Sequence, residues 1–325
     1  MYGPSIYAIM SKNRYRPFPD NIVRDLSVQI CTAVQFLHYM DIIFTDLKPE
    51  NIVFVDGATK AVTMPGNVWF SSYAKCVHCI LHMRTCDVFD FGSAVYEPKY
   101  DPNNRATWKF REGYNYLIQT RHYRAPEVVL EMHWKRPVDI WSIGCVILEF
   151  LHGSMVFNTH CPIDHLNQMQ NMIGVIPEKL IQSASDRKFE ELFQSNALAL
   201  RLDDAKRSRV QARSLETYFD FTKPEHVDLH DLVKRMLRWF ASDRITAEEM
   251  MRHRYWITSD PATKQRQAVQ HAQAHLHSHH GQTAVIGSFE PERIQTTLRN
   301  APISSHWSNP NLHNRTEYTE YKAGF

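Results

Sequence analysis

Apolar residues recur at helical spacing from Ile22 through Val23, Leu26, Ile30, Ala33 and Val34 to Leu37, and Asp20, following Pro17-Phe18-Pro19, stands where a cap would open that helix. The period then changes. Ile52-Val53-Phe54-Val55 is a short β-branched run that predicts a strand, with Val88-Phe89 as its hairpin partner. From Pro137 the helical period returns, over Asp139 to Leu151, Asp164 to Ile173, Leu229 to Trp239 and Ala247 to Arg254. Beyond about Ser259 the chain turns polar and aperiodic, which predicts a disordered tail over 258–325, with His271, His275, His277, His279 and His280 in it. The predicted class is α+β: a mainly helical domain with one small β-hairpin.

The chemistry sits where the period changes. Thr45-Asp46-Leu47-Lys48-Pro49-Glu50-Asn51 joins the first helix to the first strand, Asp90-Phe91-Gly92 follows the second strand, and Ala125-Pro126-Glu127 comes later. In that order the three strings carry the parts of a protein kinase. The first Asp receives the proton of a substrate hydroxyl, the Asn and the second Asp hold Mg²⁺ on the triphosphate of ATP, and Ala-Pro-Glu anchors the substrate-binding segment. A lone Asp-Leu-Lys-Pro would read as a turn; Asn51, Asp90 and Glu127 in kinase order carry the stronger reading. The hairpin would set both Mg²⁺ ligands, Asn51 and Asp90, on one rigid element under the cleft.

The same comparison exposes a gap. No three of the 11 glycines have the G-x-G-x-x-G spacing that covers ATP phosphates. The first lysine, Lys12, reads as part of a polar loop and the first glutamate is Glu50, so the Lys–Glu ion pair that positions ATP has no candidates before the catalytic loop. The expectation is a kinase large lobe over 1–257, with the small ATP-binding lobe missing.

Composition narrows the setting. A chain of 325 residues with 43% hydrophobic and 22% charged residues fits a globular core, and a net charge of +2 gives no footprint for direct nucleic-acid binding. The longest apolar run, Ile140 to Leu151, holds Ser142 and Glu149 and falls short of the roughly 20 residues that span a bilayer, so no membrane partner is expected. The N-terminus lacks the order of a signal peptide and the six cysteines form no dense framework; a reducing intracellular compartment is the default.

Specific strings take the reading further. Gly3-Pro4-Ser5-Ile6-Tyr7, Arg16-Pro17-Phe18, Asp46 to Asn51, Asp90-Phe91-Gly92-Ser93-Ala94, Thr120 to Glu127 and Asp139-Ile140-Trp141-Ser142-Ile143-Gly144-Cys145 together resemble the large lobe of LAMMER-type kinases. This CMGC-group branch acts on Ser/Arg-rich splicing factors. Its name-giving string, E-H-L-A-M-M-E-R-I-L-G, aligns with residues 164–174 and keeps His165, Leu166, Met169 and Gly174.

The resemblance implies a role for each matched residue. Asp46 would be the proton acceptor, Lys48 would neutralise charge on the transferring phosphoryl group, and Thr120 would bond back to Asp46. Asn51 and Asp90 would hold Mg²⁺ and through it ATP, Phe91 and Gly92 would shape the segment behind them, Glu127 would pair with Arg244, and Asp139 would accept backbone N–H groups of the catalytic loop. Phe44 replaces the usual His and would pack under Phe91; Thr45 replaces the usual Arg, a departure that LAMMER kinases share. Protein substrates, plausibly Ser/Arg-rich splicing factors, and a nuclear location, with the cytoplasm left open, are implied in the same way.

Two stretches look foreign to such a lobe, at about 56–86 and 101–115. The first contains Cys76-x-x-Cys79, His82 and Cys86, spaced only loosely as zinc ligands and read in preference as packing residues. Three functions stay open: a Ser/Thr or dual-specificity kinase, a catalytically dead lobe that binds partners, and a fragment produced by a faulty gene assembly.

Overall fold

The computed structural model describes residues 2–55, 60–64, 68–72, 91–194, 198–201 and 213–258. Helix α1, Ile6–Lys12, opens at Ser5, whose hydroxyl accepts from Ala8 N at 3.2 Å. Lys12, expected in a polar loop, is instead its last residue, where a cation faces the negative end of the helix dipole.

Helix α2, Asp20–Tyr39, buries every apolar position that its period marked, from Ile22 to Leu37. Its cap differs from expectation. Pro19 occupies the N-cap position and Asp20 is the first helical residue, because the Asp20 carboxylate is drawn to Lys223 Nζ at 2.7 Å and not to the open N–H groups of its own helix.

The central element is α3, Pro137–His152. Val138 to Phe150 are buried without a polar face, the pattern of a helix enclosed on all sides. α2 packs on one side of it and α4, Pro224–Met236, on another. Gly144 is what lets the chain after α4 come close: a Cβ there would lie 2.9 Å from Leu237 Cδ2. Pro162–Ile173 forms a further helix, and the expected single helix at 247–254 is two short ones, Ala247–Met251 and Tyr255–Thr258. The break falls at His253, whose ring accepts from Tyr255 N at 3.2 Å and meets Asp231 Oδ2 at 2.9 Å.

The strands pair over long range. β1, Tyr2–Ser5, runs antiparallel to β3, Val53–Val55, and β2, Ile42–Ile43, to Val95–Tyr96. The expected strand at 52–55 thus exists, but its partner is the N-terminal segment; Val88 and Phe89 lie outside the described residues. Within the first foreign stretch Lys60–Met64 and Val68–Ser72 form their own antiparallel ladder, while Cys76, Cys79, His82, Cys86 and the tail after 258 lie outside the described residues.

Gly153 ends α3 in the left-handed conformation, φ 77°, where Tyr15 crosses so closely that a Cβ would fall 1.9 Å from its carbonyl oxygen. We expect Gly153→Ala to lose about 2 kcal/mol or more in urea unfolding, combining backbone strain with a clash against main chain. Gly174→Ala, with nothing within 4 Å of the new carbon, should lose the conformational part alone.

Candidate active site

The first turn of α3 carries Asp139, fully buried, whose carboxylate accepts from Phe44 N and Thr45 N, both at 2.8 Å, and meets His38 Nε2 at 2.9 Å. A buried carboxylate is costly unless its lone pairs are taken, and here the last turn of α2 and the loop after β2 take them. The bond to Thr45 holds that residue at φ 69°, a left-handed conformation that a β-branched residue adopts only under outside constraint. Its hydroxyl donates to Ser93 O at 2.8 Å, tying the loop to the segment after Phe91 and Gly92. The rings of Phe44 and Phe91 meet edge to face, centroids 4.9 Å apart.

The strained turn delivers Asp46 to the surface of the lobe. Oδ1 accepts from Thr120 Oγ1 at 2.7 Å and Thr120 N at 3.0 Å, and Oδ2 accepts from Lys48 Nζ at 2.7 Å and Asn51 Nδ2 at 3.1 Å. Lys48 Nζ also donates to Thr120 Oγ1 at 2.9 Å. Burial by itself would push the Asp46 carboxyl up, but the hydrogen bonds from Lys48 and Thr120 outweigh it and hold the group below its ordinary value, so it is ionised at neutral pH. Asn51 Nδ2 also donates to Asp46 O at 2.9 Å, which commits its nitrogen and leaves its oxygen as the atom a hard cation would take. Asp46, Lys48, Asn51 and Thr120 therefore form one cluster, while Asp90 lies outside the described residues.

Glu127 and Arg244 meet in a bidentate pair, both bonds 2.6 Å, with the Arg244 side chain 0% and the Glu127 side chain 3% exposed. Arg244 also stacks over Trp141 at 5.1 Å and donates to Pro137 O and Arg238 O at 3.1 Å. The pair locks the segment after Thr120 onto α3.

The sequence reading missed the stretch that it took as foreign. Tyr114 pairs backbone with Trp134 and stacks on its ring at 4.9 Å, Tyr116 meets the same ring at 5.1 Å, and Trp134 Nε1 donates to Tyr116 O at 2.8 Å. Gly113, φ 89°, permits this, since a Cβ there would fall 2.5 Å from Trp134 O. The aromatic spacing Tyr114-x-Tyr116 after a glycine was the available signal. Arg136 was equally invisible: it donates to His38 O at 2.7 Å, Asp41 Oδ1 at 2.6 Å and Glu97 O at 2.6 Å, stapling the end of α2 to the chain just after Val95–Tyr96.

Beside the catalytic loop lies an acidic corner. Glu149 of α3, 3% exposed, accepts from Tyr123 OH at 2.6 Å, and burial with the nearby charge of Glu50 raises its carboxyl to about 7 against the Tyr123 hydrogen bond. His165 is held neutral, pushed down to about 3 by burial; its Nε2–H donates to Arg124 O and its Nδ1 accepts from Thr159 Oγ1, both at 3.0 Å.

A carboxylate held by a lysine, a threonine and an asparagine thus lies on a loop pinned to a buried aspartate, next to an anchored segment. The protein kinase domain family matches residues 3–256, and the chain belongs to that family. Human dual specificity protein kinase CLK4 is 34% identical over 258 residues, which cover 79% of this chain and 49% of CLK4. The serine/threonine-protein kinase AFC1 of Arabidopsis thaliana is 32% identical, over 79% of this chain and 54% of its own. A solved kinase domain, that of PF14_0431, superposes with a TM-score of 0.62 at 25% identity, covering 78% of this chain and 71% of that one. This chain spans about half the length of CLK4 and AFC1.

The Glu149 proton gives a pH test. Folding raises its carboxyl from 4.5 to about 7, so the native state binds the proton more tightly than the unfolded chain. The stability this contributes is full below about pH 4.5 and is lost as pH rises through 7. Thermal unfolding across that window should show a fall in Tm that Glu149→Gln removes.

Proposed function

We propose that the chain is the catalytic and substrate-binding lobe of a Ser/Thr or dual-specificity protein kinase, working with ATP and Mg²⁺ on Ser/Arg-rich splicing factors in the nucleus. The observation that carries the reading is Asp46, ionised and held by Lys48, Thr120 and Asn51. When bound, MgATP supplies the phosphoryl group and offsets its charge, and the Asn51 oxygen with Asp90 are the atoms suited to hold the metal. The substrate hydroxyl oxygen bonds to the γ-phosphorus, the bond to the bridging oxygen breaks towards ADP, and the hydroxyl proton passes to Asp46. Both Asp46 oxygens are already doubly bonded to donors, so one must yield to the hydroxyl. The Asn51 bond, the longest at 3.1 Å, is that one. Lys48 stays beside the carboxylate as a fixed positive charge.

An exposed carboxylate supports a basic substrate. Glu50 is exposed in the catalytic loop, so an arginine next to the phosphorylated serine finds an anion to bind. A second reading is a lobe that binds protein partners without transferring phosphate. Calorimetry with MgATP separates them, since the second requires partner binding without nucleotide binding.

On an Arg-Ser repeat peptide, Asp46→Asn should reduce the rate by roughly 10²–10⁴. Glu50→Gln should weaken kcat/KM for that peptide and leave an arginine-free serine peptide unaffected; equal loss on both would remove the argument for basic substrates. Phosphatase treatment should leave the activity in place, because Thr45 offers no cation for a phosphate and both Arg121 and Arg124 are occupied, bonding to His160 O at 2.6 Å and to Gln119 O at 2.8 Å. Silencing by phosphatase would overturn that claim.

A further inference from the structure

Thr120 places two donors on one oxygen of Asp46, yet nothing in Thr120 itself fixes where it stands. The residue before it does. Gln119 is buried, an uncommon place for a glutamine, and both polar atoms of its side chain are engaged. Its Nε2 donates to Val138 O at 2.9 Å and to Ser142 Oγ at 2.8 Å, both on α3, and its Oε1 accepts from Ala125 N at 2.9 Å. The backbone is held from the other side, where Arg124 donates to the Gln119 carbonyl from Nη2 at 2.8 Å and Nε at 3.3 Å. Between these holds Gln119 sits at φ 61°, the left-handed region that a side chain with a Cβ adopts only when its surroundings impose it. That turn aims the Gln119 carbonyl at Arg124 and the next N–H, that of Thr120, at Asp46 Oδ1.

We propose that Gln119 is a positioning residue for Asp46: its amide clamps the turn that presents Thr120 to the carboxylate, so α3 sets the register between the catalytic loop and the activation segment. The inference rests on reading Asp46 as the working carboxylate. Ser142 completes the clamp, since its hydroxyl accepts from Gln119 and donates to Tyr123 O at 2.9 Å. A glutamine that merely filled space would leave Thr120 in place when replaced by a side chain of similar size. A clamp would release it. The Thr120 N–H, now held 3.0 Å from Asp46 Oδ1, then reports on the release.

The test uses the full chain, ¹⁵N-labelled. Hydrogen exchange at neutral pH gives the first reading: Thr120 N–H should lose protection by roughly tenfold in Gln119→Leu while the amides of α3 keep theirs. The second is the Thr120 amide proton resonance, which should move upfield in Gln119→Leu, in the direction that loss of the acceptor in Asp46→Ala moves it. Ser142→Ala, which removes one partner of the clamp, should move both readings the same way by less, and it serves if Gln119→Leu fails to fold. An unmoved Thr120 resonance or a Thr120 amide that keeps its protection, in whichever variant folds, overturns the proposal. None of these readings requires phosphoryl transfer, so a chain that proves inactive leaves the test intact. In an active one, Gln119→Leu should lower kcat at unchanged KM for ATP.

Discussion

The buried carboxylate of Asp139 is the constraint on which the site depends. It has four lone-pair positions and no exposure to solvent, and the structure meets the need with two backbone N–H groups of the catalytic loop and the ring of His38. Because the acceptor is rigid, set in the first turn of an enclosed helix, the donors must come to it. Thr45 accepts a left-handed backbone to do so, and that conformation turns Asp46 outward. Strain at one residue and solvent access at the next are therefore one event, stabilised by an interaction beneath the surface.

The same helix organises the other side of the site. Glu127 reaches Arg244 across its N-terminal end, Gln119 bonds to Val138 and Ser142 on its first turns, and Glu149 takes the hydroxyl of Tyr123 near its far end. The bonds from Gln119 and Tyr123, with the Glu127–Arg244 pair beside them, tie the segment from Ile118 to Glu127 to an enclosed helix. In many kinases that segment is ordered by a phosphate on a loop cation. Here an aromatic cluster on Trp134 and the staple of Arg136 supply non-covalent holds upstream of it.

The stretch at 101–115 bears on how insertions should be read. Its sequence departs from the surrounding lobe, but Gly113 and Tyr114 pack against a tryptophan that is 1% exposed. Asp101, Asn104 and Thr107 close the remainder on itself, with Thr107 Oγ1 accepting from Asp101 N at 2.8 Å and donating to Asn104 O at 2.8 Å. A segment foreign in sequence is integrated in packing.

What the sequence determined by itself was chemistry and period: Asp46, Lys48 and Asn51 at fixed spacing on one loop, the buried face of α2, and the enclosed character of α3. These are local properties, legible because a few neighbouring residues decide them. Strand pairing was not local. The run at 53–55 was expected to pair with Val88-Phe89, and its pairing with Tyr2–Ser5 depends on which chain end returns to the loop. The cap of α2 was misread for the same reason, since Asp20 is claimed by Lys223, 203 residues away. Gln119, Arg136 and Trp134 carry no motif; their roles arise from buried polar groups that must find partners, and only the folded chain decides which partners are within reach.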